Sequence, residues 1–63
     1  MKLITIKAEE RPIGTMKASI FVIDGMFFWI PISLIKEIDR INKTVTIPEW
    51  FNKKRKPDLN YIY

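Results

Sequence analysis

The chain has 63 residues, 48% of them hydrophobic, a net charge of +4, and neither cysteine nor histidine. A chain of this length forms one small domain that buries about 60% of its unfolded surface, and this one has no disulfide or His/Cys-ligated zinc to brace it. The composition argues against intrinsic disorder, no apolar run reaches the roughly 18 residues of a membrane span, and the absence of cysteine fits a cytoplasmic protein. Met1-Lys2-Leu3 begins like a signal peptide, but the alternating and then charged residues that follow argue against one.

The first half of the chain is predicted to hold three strands. Leu3–Lys7 alternates apolar and polar residues, which is typical of a strand. Ala8–Thr15 contains charged residues, a proline and a glycine, and is predicted to be a loop. Lys17–Asp24 and Met26–Ile30 are rich in β-branched and aromatic residues, and Asp24-Gly25 between them is a strong signal for a two-residue type I′ hairpin turn.

The second half is predicted to hold a short turn, a second hairpin and a C-terminal helix. The turn is predicted at Ser33–Lys36. The hairpin consists of Glu37–Ile41 and Thr44–Ile47, joined by Asn42-Lys43. The helix has Pro48 at its first position and is stopped by Pro57. The prediction is a mainly β fold: a small SH3-like or OB-like barrel of about five strands with a short C-terminal helix. Residues 1–63 form a single domain that ends in a basic segment, 53–56, and an apolar tail, 59–63.

The turn at Asp24-Gly25 sets the register of the first hairpin, and both of its faces are apolar. Opposed residues share a face, so one face carries Phe21, Ile23, Met26, Phe28 and Ile30. The other face, called the outer hairpin face below, carries Ile20, Val22, Phe27 and Trp29. Since a small barrel has one interior, the outer hairpin face must be covered either by the C-terminal region, with Trp50, Phe51 and Leu59 as lids, or by a partner.

The positive charge is concentrated near the C-terminus. Four of the eleven Lys and Arg residues are consecutive, and the remaining seven balance the seven acidic residues. This basic segment consists of Lys53, Lys54, Arg55 and Lys56. It is either a solvated helix end or a phosphate-binding patch, whose aromatic neighbours would then stack on bases. The candidate stacking residues are Trp29, Trp50, Tyr61 and Tyr63.

Two elements resemble small uncharacterised proteins of bacteriophages and prophages, which show W-I-P-x-S-x-I followed by V-T-[VI]-P-E-W-[LF]. The matching residues are Trp29-Ile30-Pro31 with Ser33 and Ile35, and the run Val45–Phe51. The resemblance covers about half the chain and implies a phage or mobile-element setting in the host cytoplasm. The chain departs from the pattern at Met26–Phe28, where those proteins are more polar.

The spacing from Phe21 to Ile47 also resembles small archaeal chromatin proteins with an SH3-like barrel. That resemblance implies a hairpin packed across a second, twisted sheet and followed by a helix. The DNA-binding face of those proteins would correspond to Asp39, Ile41, Thr44 and Thr46, with Ile41 as a wedge for the minor groove. Asp39 stands where that family has a tryptophan, and a carboxylate repels phosphates.

An enzyme is not predicted. Without cysteine or histidine most nucleophile–base pairs are missing, Ser33 has no evident base, and no glycine loop for phosphates is present. No cofactor or metal is expected. The leading prediction is a non-enzymatic accessory protein that binds nucleic acid through the basic segment with Trp50 and Tyr61. The alternative is a protein–protein module, either a phage-encoded inhibitor or adaptor of a host protein or a homodimeric structural protein, that uses the outer hairpin face.

Overall fold

Six strands and one short helix make up the fold in the computed structural model, which describes residues 2–59. The strands are β1 Leu3–Lys7, β2 Glu9–Gly14, β3 Ala18–Ile23, β4 Met26–Pro31, β5 Glu37–Asp39 and β6 Thr44–Pro48. The helix is α1 Glu49–Lys54, and a single 3-10 turn, Ile32–Leu34, follows β4. The mainly β fold with a short C-terminal helix is confirmed. Closure into a barrel is not, because neither sheet closes on itself.

The strands form two antiparallel sheets of three, in the orders β1-β6-β5 and β2-β3-β4. The core lies between them, because alternate residues of each central strand point to the same side. Its buried members are Ala8, Phe21, Ile23, Phe28, Ile30, Val45 and Ile47. Each sheet therefore contributes one apolar face, and the β3–β4 hairpin contributes the larger side chains.

The register predicted for the first hairpin is confirmed. Ile23 opposes Met26, and the pairing continues without a shift to Ala18 opposite Pro31. Asp24 and Gly25 both have positive φ, 52° and 78°, as a type I′ turn requires. The outer hairpin face is thus on the opposite side of the sheet from Phe21 and Phe28.

The loop predicted at Ala8–Thr15 is wrong, because Glu9–Gly14 forms strand β2 and pairs with β3. The register shifts between Glu10 and Gly14. Proline is tolerated in an edge strand and at a bulge, so Pro12 marks an irregular edge strand rather than a loop. At Gly14 a side chain would be crowded, since an added Cβ would lie 2.8 Å from the Ala18 carbonyl oxygen.

The second hairpin is also displaced from its prediction. Asp39 opposes Thr44, so the connection has four residues, 40–43, and is not the two-residue loop Asn42-Lys43. Asp39 Oδ1 accepts hydrogen bonds from the backbone N–H groups of Ile41 (3.0 Å) and Asn42 (2.9 Å), and Asn42 Nδ2 donates to Oδ2 (2.8 Å). A side chain that satisfies backbone groups in this way ends a strand. Ile41 is consequently outside β5 and 92% exposed.

Helix α1 begins one residue later than predicted, with Pro48 as its N-cap. The start of the helix is held to the residue before β1, because the Glu49 N–H donates to the Lys2 carbonyl at 2.9 Å. Glu49 lies in the first turn and Lys53 and Lys54 lie in the last, so the charges favour the helix dipole. A six-residue helix is marginal alone, and Phe51 secures this one by packing against the core.

The burial of the core can be tested with one matched pair of substitutions. Ile47→Val removes a methylene from a fully buried site and should lower the free energy of unfolding by about 1 kcal/mol. Ile41→Val makes the same chemical change at the exposed loop position and should lower it by less than about 0.5 kcal/mol. Urea unfolding followed by circular dichroism measures both. Equal effects would contradict the loop position of Ile41.

The loop after β5 should make stability depend on pH. The backbone N–H of Asn42, followed by its side-chain amide, holds the pKa of the Asp39 carboxyl below its ordinary value of 3.8. A lowered pKa means that the carboxylate stabilises the fold above pH 3.8 and loses this effect as pH falls through the folded-state pKa. Asp39→Asn removes the titration and keeps an acceptor oxygen. Urea midpoints at pH 6 and pH 2.5 should therefore show a wild-type advantage at pH 6 that shrinks at pH 2.5. A wild-type advantage that stays constant with pH would contradict the stabilising role of the Asp39 carboxylate.

Candidate functional site

Helix α1 places an aromatic ring and two lysines on one side. Residues three and four apart are neighbours on a helix surface, so Trp50 lies beside Lys53 and Lys54. Trp50 is 48% exposed and meets the Phe51 ring edge-on, with centroids 5.9 Å apart. Because Phe51 packs against the core, it supports the tryptophan from below while much of the indole faces solvent.

The exposed lysines of the basic segment are Lys53, Lys54 and Lys56. Lys53 is paired with Glu49, whose Oε1 lies 3.9 Å from Lys53 Nζ. Glu49 is shared with Lys2, whose Nζ lies 3.5 Å from its other carboxylate oxygen. Lys2 therefore adds positive charge to this side of the molecule. Sequence reasoning missed it because only the pairing of β1 with β6 brings Lys2 close to the start of α1.

Arg55 differs from the lysines beside it. Its guanidinium lies 4.2 Å from the centroid of the Phe28 ring, and its Nε donates to Asn52 Oδ1 at 2.8 Å. Arg55 is half-buried. It still contributes charge, but its planar group is engaged within the fold, where it anchors the basic segment to β4.

The outer hairpin face is partly covered by the chain's own C-terminal region. Ile20 has no exposed surface, and Val22, Phe27 and Trp29 are half-buried. The covering contacts come from a residue that sequence reasoning missed. The Asp58 N–H donates to the Phe27 carbonyl at 2.7 Å, and Trp29 Nε1 donates to Asp58 Oδ2 at 2.8 Å. The one available signal was that a buried indole N–H usually finds an acceptor.

None of the three predicted lids, as the structure describes them, covers the outer hairpin face. Leu59 is 77% exposed and Trp50 is half exposed, while Phe51 packs against the inner core. The segment from Arg55 to Asp58 crosses the edge of β4 instead. Arg55 contacts Phe28 on the inner side and Asp58 contacts Trp29 on the outer side, because neighbouring residues of a strand point to opposite faces.

The predicted nucleic-acid residues thus fall into separate places. Trp50 lies with the lysines, whereas Trp29 is on the hairpin and its indole N–H is bound. Tyr61 and Tyr63 lie outside the described residues. On the second hairpin, Asp39 is engaged in its loop and Thr46 Oγ1 lies 2.7 Å from Thr5 Oγ1. That face presents hydroxyls and a carboxylate, and Ile41, the predicted wedge, lies outside it on the exposed connection 40–43.

A cleft of about 230 Å³ lies between the two sheets, near the connection 40–43. Its charged groups pair with one another. Arg40 Nε lies 2.7 Å from Glu10 Oε1, and Lys43 Nζ lies 3.5 Å from Glu9 Oε2. Within residues 2–59 no cluster of three or more acidic, histidine or cysteine side chains could hold a metal ion. No helix in the same part of the chain is long and apolar enough to cross a membrane.

No family model, curated protein or solved structure matches the chain. Both resemblances given above stay predictions.

The contact between Trp29 and Asp58 can be tested by unfolding. Trp29→Phe keeps an aromatic ring, smaller than the indole, and removes the donor, and we expect the free energy of unfolding to fall by about 1–2 kcal/mol, since the acceptor is charged. Trp50→Phe is the matched control and should have almost no effect, because its ring lies against Phe51 and is half exposed.

A double-mutant cycle with Asp58→Ala, which removes the acceptor, then isolates the pair. We expect a coupling energy between Trp29→Phe and Asp58→Ala, measured by urea unfolding, of about 1 kcal/mol. Additive effects of the two substitutions, or equal losses from the two tryptophan substitutions, would contradict the contact.

Proposed function

We propose that this chain is a non-enzymatic accessory protein that binds single-stranded nucleic acid through the C-terminal end of α1 and the residues that follow it. The observation that carries the proposal is the placement of Lys53 and Lys54 on the same side as the half-exposed Trp50. Lys56 continues the positive charge beyond the helix, and Lys2 adds to it from β1.

This arrangement matches the chemistry of sequence-independent single-strand binding. Lysines neutralise phosphates, and an aromatic ring with an open face stacks on any base. About three phosphate contacts would give a slope of log affinity against log salt of roughly −2 for a single strand. The binding we propose is therefore weak, strongly salt-dependent and indifferent to sequence.

The geometry favours this function over a partner docked on the outer hairpin face. Ile20 has no exposed surface, and Asp58 occupies the Phe27 carbonyl and the Trp29 indole. A protein partner, such as a host enzyme inhibited by this chain, would have to displace that segment first. The lysines and Trp50 need no rearrangement to meet a ligand.

The proposal also covers the type of fold and the biological origin of the chain. From β3 to α1 the order is hairpin, 3-10 turn, hairpin and helix, which is the order implied by the SH3-like resemblance. We propose an open SH3-like arrangement of the two sheets and a phage or mobile-element origin. SH3-like folds host many unrelated activities, so the function rests on the site and not on the fold.

A fluorescence titration with single-stranded oligonucleotides tests the stacking residue. Wild-type emission should be quenched to saturation at low salt, and the quenching should weaken at moderate salt. Trp29→Phe should keep the quenching, whereas Trp50→Phe should lose it although the protein still folds. Quenching that follows Trp29 instead would place the ligand on the hairpin. No quenching at any salt concentration would overturn the proposal.

A charge-matched pair of variants tests the phosphate contacts. Lys54→Gln/Lys56→Gln removes two exposed lysines of the basic segment, and the salt slope should fall from about −2 to about −0.7. Lys17→Gln/Lys36→Gln removes the same charge from exposed positions elsewhere and should leave the slope near −2. Equal losses in both variants would mean that net charge alone drives the binding.

A further inference from the structure

The outer side of β1 is an unpaired sheet edge among residues 2–59. Its sheet has the order β1-β6-β5. The Ala8 N–H donates to the Lys43 carbonyl and the Glu49 N–H donates to the Lys2 carbonyl, each at 2.9 Å. These two bonds show that the even-numbered residues of this segment form the hydrogen-bonded pairs with β6. The backbone N–H and C=O groups of the odd-numbered residues of β1 therefore point away from β6. Those residues are Leu3, Thr5 and Lys7.

The other described edges are protected in ways that β1 is not. Natural edge strands are commonly guarded by proline, bulges, short length or covering segments. Strand β4 is covered where Asp58 bonds to Phe27, β2 contains Pro12 and a register shift, and β5 has only three residues. Strand β1 has five residues, pairs regularly with β6, and contains neither proline nor glycine.

The lysines at the two ends of β1, Lys2 just before it and Lys7 as its last residue, are turned toward their own chain. Lys7 Nζ donates to the Asn42 carbonyl at 3.2 Å, on the side of the β5–β6 connection. Lys2 Nζ lies 3.5 Å from Glu49 Oε2 at the start of α1. Lysine side chains usually discourage edge-to-edge pairing, but here the charges at both ends of the strand are drawn away from the open edge.

We propose that a second copy of this chain pairs antiparallel with β1 about a two-fold axis at Thr5. In this register Thr5 opposes its own counterpart, and Leu3 opposes Lys7 of the partner subunit. In each copy, all three residues whose backbone groups point away from β6 take part in the pairing, which gives about six backbone hydrogen bonds. Shifting the register by two residues leaves an outward-facing residue of each copy unpaired.

The strand is complementary to itself on both faces. On the inner face, the half-buried Ile4 opposes Ile6 of the partner subunit in a close, non-hydrogen-bonded pair. On the outer face no lysine opposes a lysine. This self-complementarity is why the occupant is a second copy and not an unrelated strand. The pairing needs no nucleic acid, and an interface of one short strand lies under about 1,200 Å², so the dimer depends on concentration.

Sedimentation velocity from about 10 μM to about 1 mM tests the dimer. The wild-type protein should shift from monomer to dimer across this range. Thr5→Pro removes the outward N–H on the axis and costs no hydrogen bond to β6, so it should remain monomeric with an unchanged circular dichroism spectrum. Thr5→Val is the matched control. It also loses the hydroxyl contact with Thr46 but keeps the N–H, and it should dimerise like the wild type.

A cysteine pair keeps the test decisive if the proline variant fails to fold. Opposed residues in a hydrogen-bonded pair have Cα atoms about 5.5 Å apart, within the range that a disulfide spans. Thr5→Cys should form a disulfide-linked dimer under mild oxidation, and Ser33→Cys, on the exposed 3-10 turn, should not. A wild-type monomer at every concentration would overturn the proposal. So would a dimer that survives Thr5→Pro, including one that only Phe27→Ser dissociates.

Discussion

The constraint on which this fold depends is that the β3–β4 hairpin is apolar on both faces while the domain has one core. The inner face is satisfied by Val45 and Ile47 of the other sheet. The outer hairpin face is met by the residues after α1, and the polar edge of the Trp29 indole is bound by Asp58. A chain of this size has little apolar area to spare, so one carboxylate and a few residues of extended chain complete the fold.

The same solution determines where the positive charge lies. Arg55 holds the chain to Phe28 on one side of β4, and Asp58 holds it to Trp29 on the other. Lys56 is placed between these two attachments, and Lys53 and Lys54 precede them on a helix that Phe51 secures. Groups fixed before a ligand arrives lose less conformational entropy on binding. The segment that covers the outer hairpin face therefore also positions the residues proposed to contact phosphate.

Local chemistry decided which elements could be predicted from the sequence. The turn at Asp24-Gly25 fixes φ and register within a few residues, so the first hairpin and its two faces follow directly. Strand β2 was missed because its proline and glycine signal a break, while only pairing with β3 shows that the break is a bulge. The side-chain hydrogen bonds of Asp39 lengthen the second turn. The contact between Trp29 and Asp58 joins residues far apart in sequence, and no local pattern reveals it.

The pairing of β1 with β6 joins the first strand of residues 2–59 to the last one, and this has a consequence for how the molecule folds. An isolated hairpin is marginally stable in water, so the β3–β4 hairpin can form early but stays incomplete until both ends of the chain arrive. Contacts between distant residues slow folding. During that interval the run Phe27-Phe28-Trp29 is exposed to solvent, and transiently exposed apolar strands favour aggregation. The hairpin that supplies Phe21, Phe28 and Ile30 to the native core is therefore also the segment most prone to aggregation during folding.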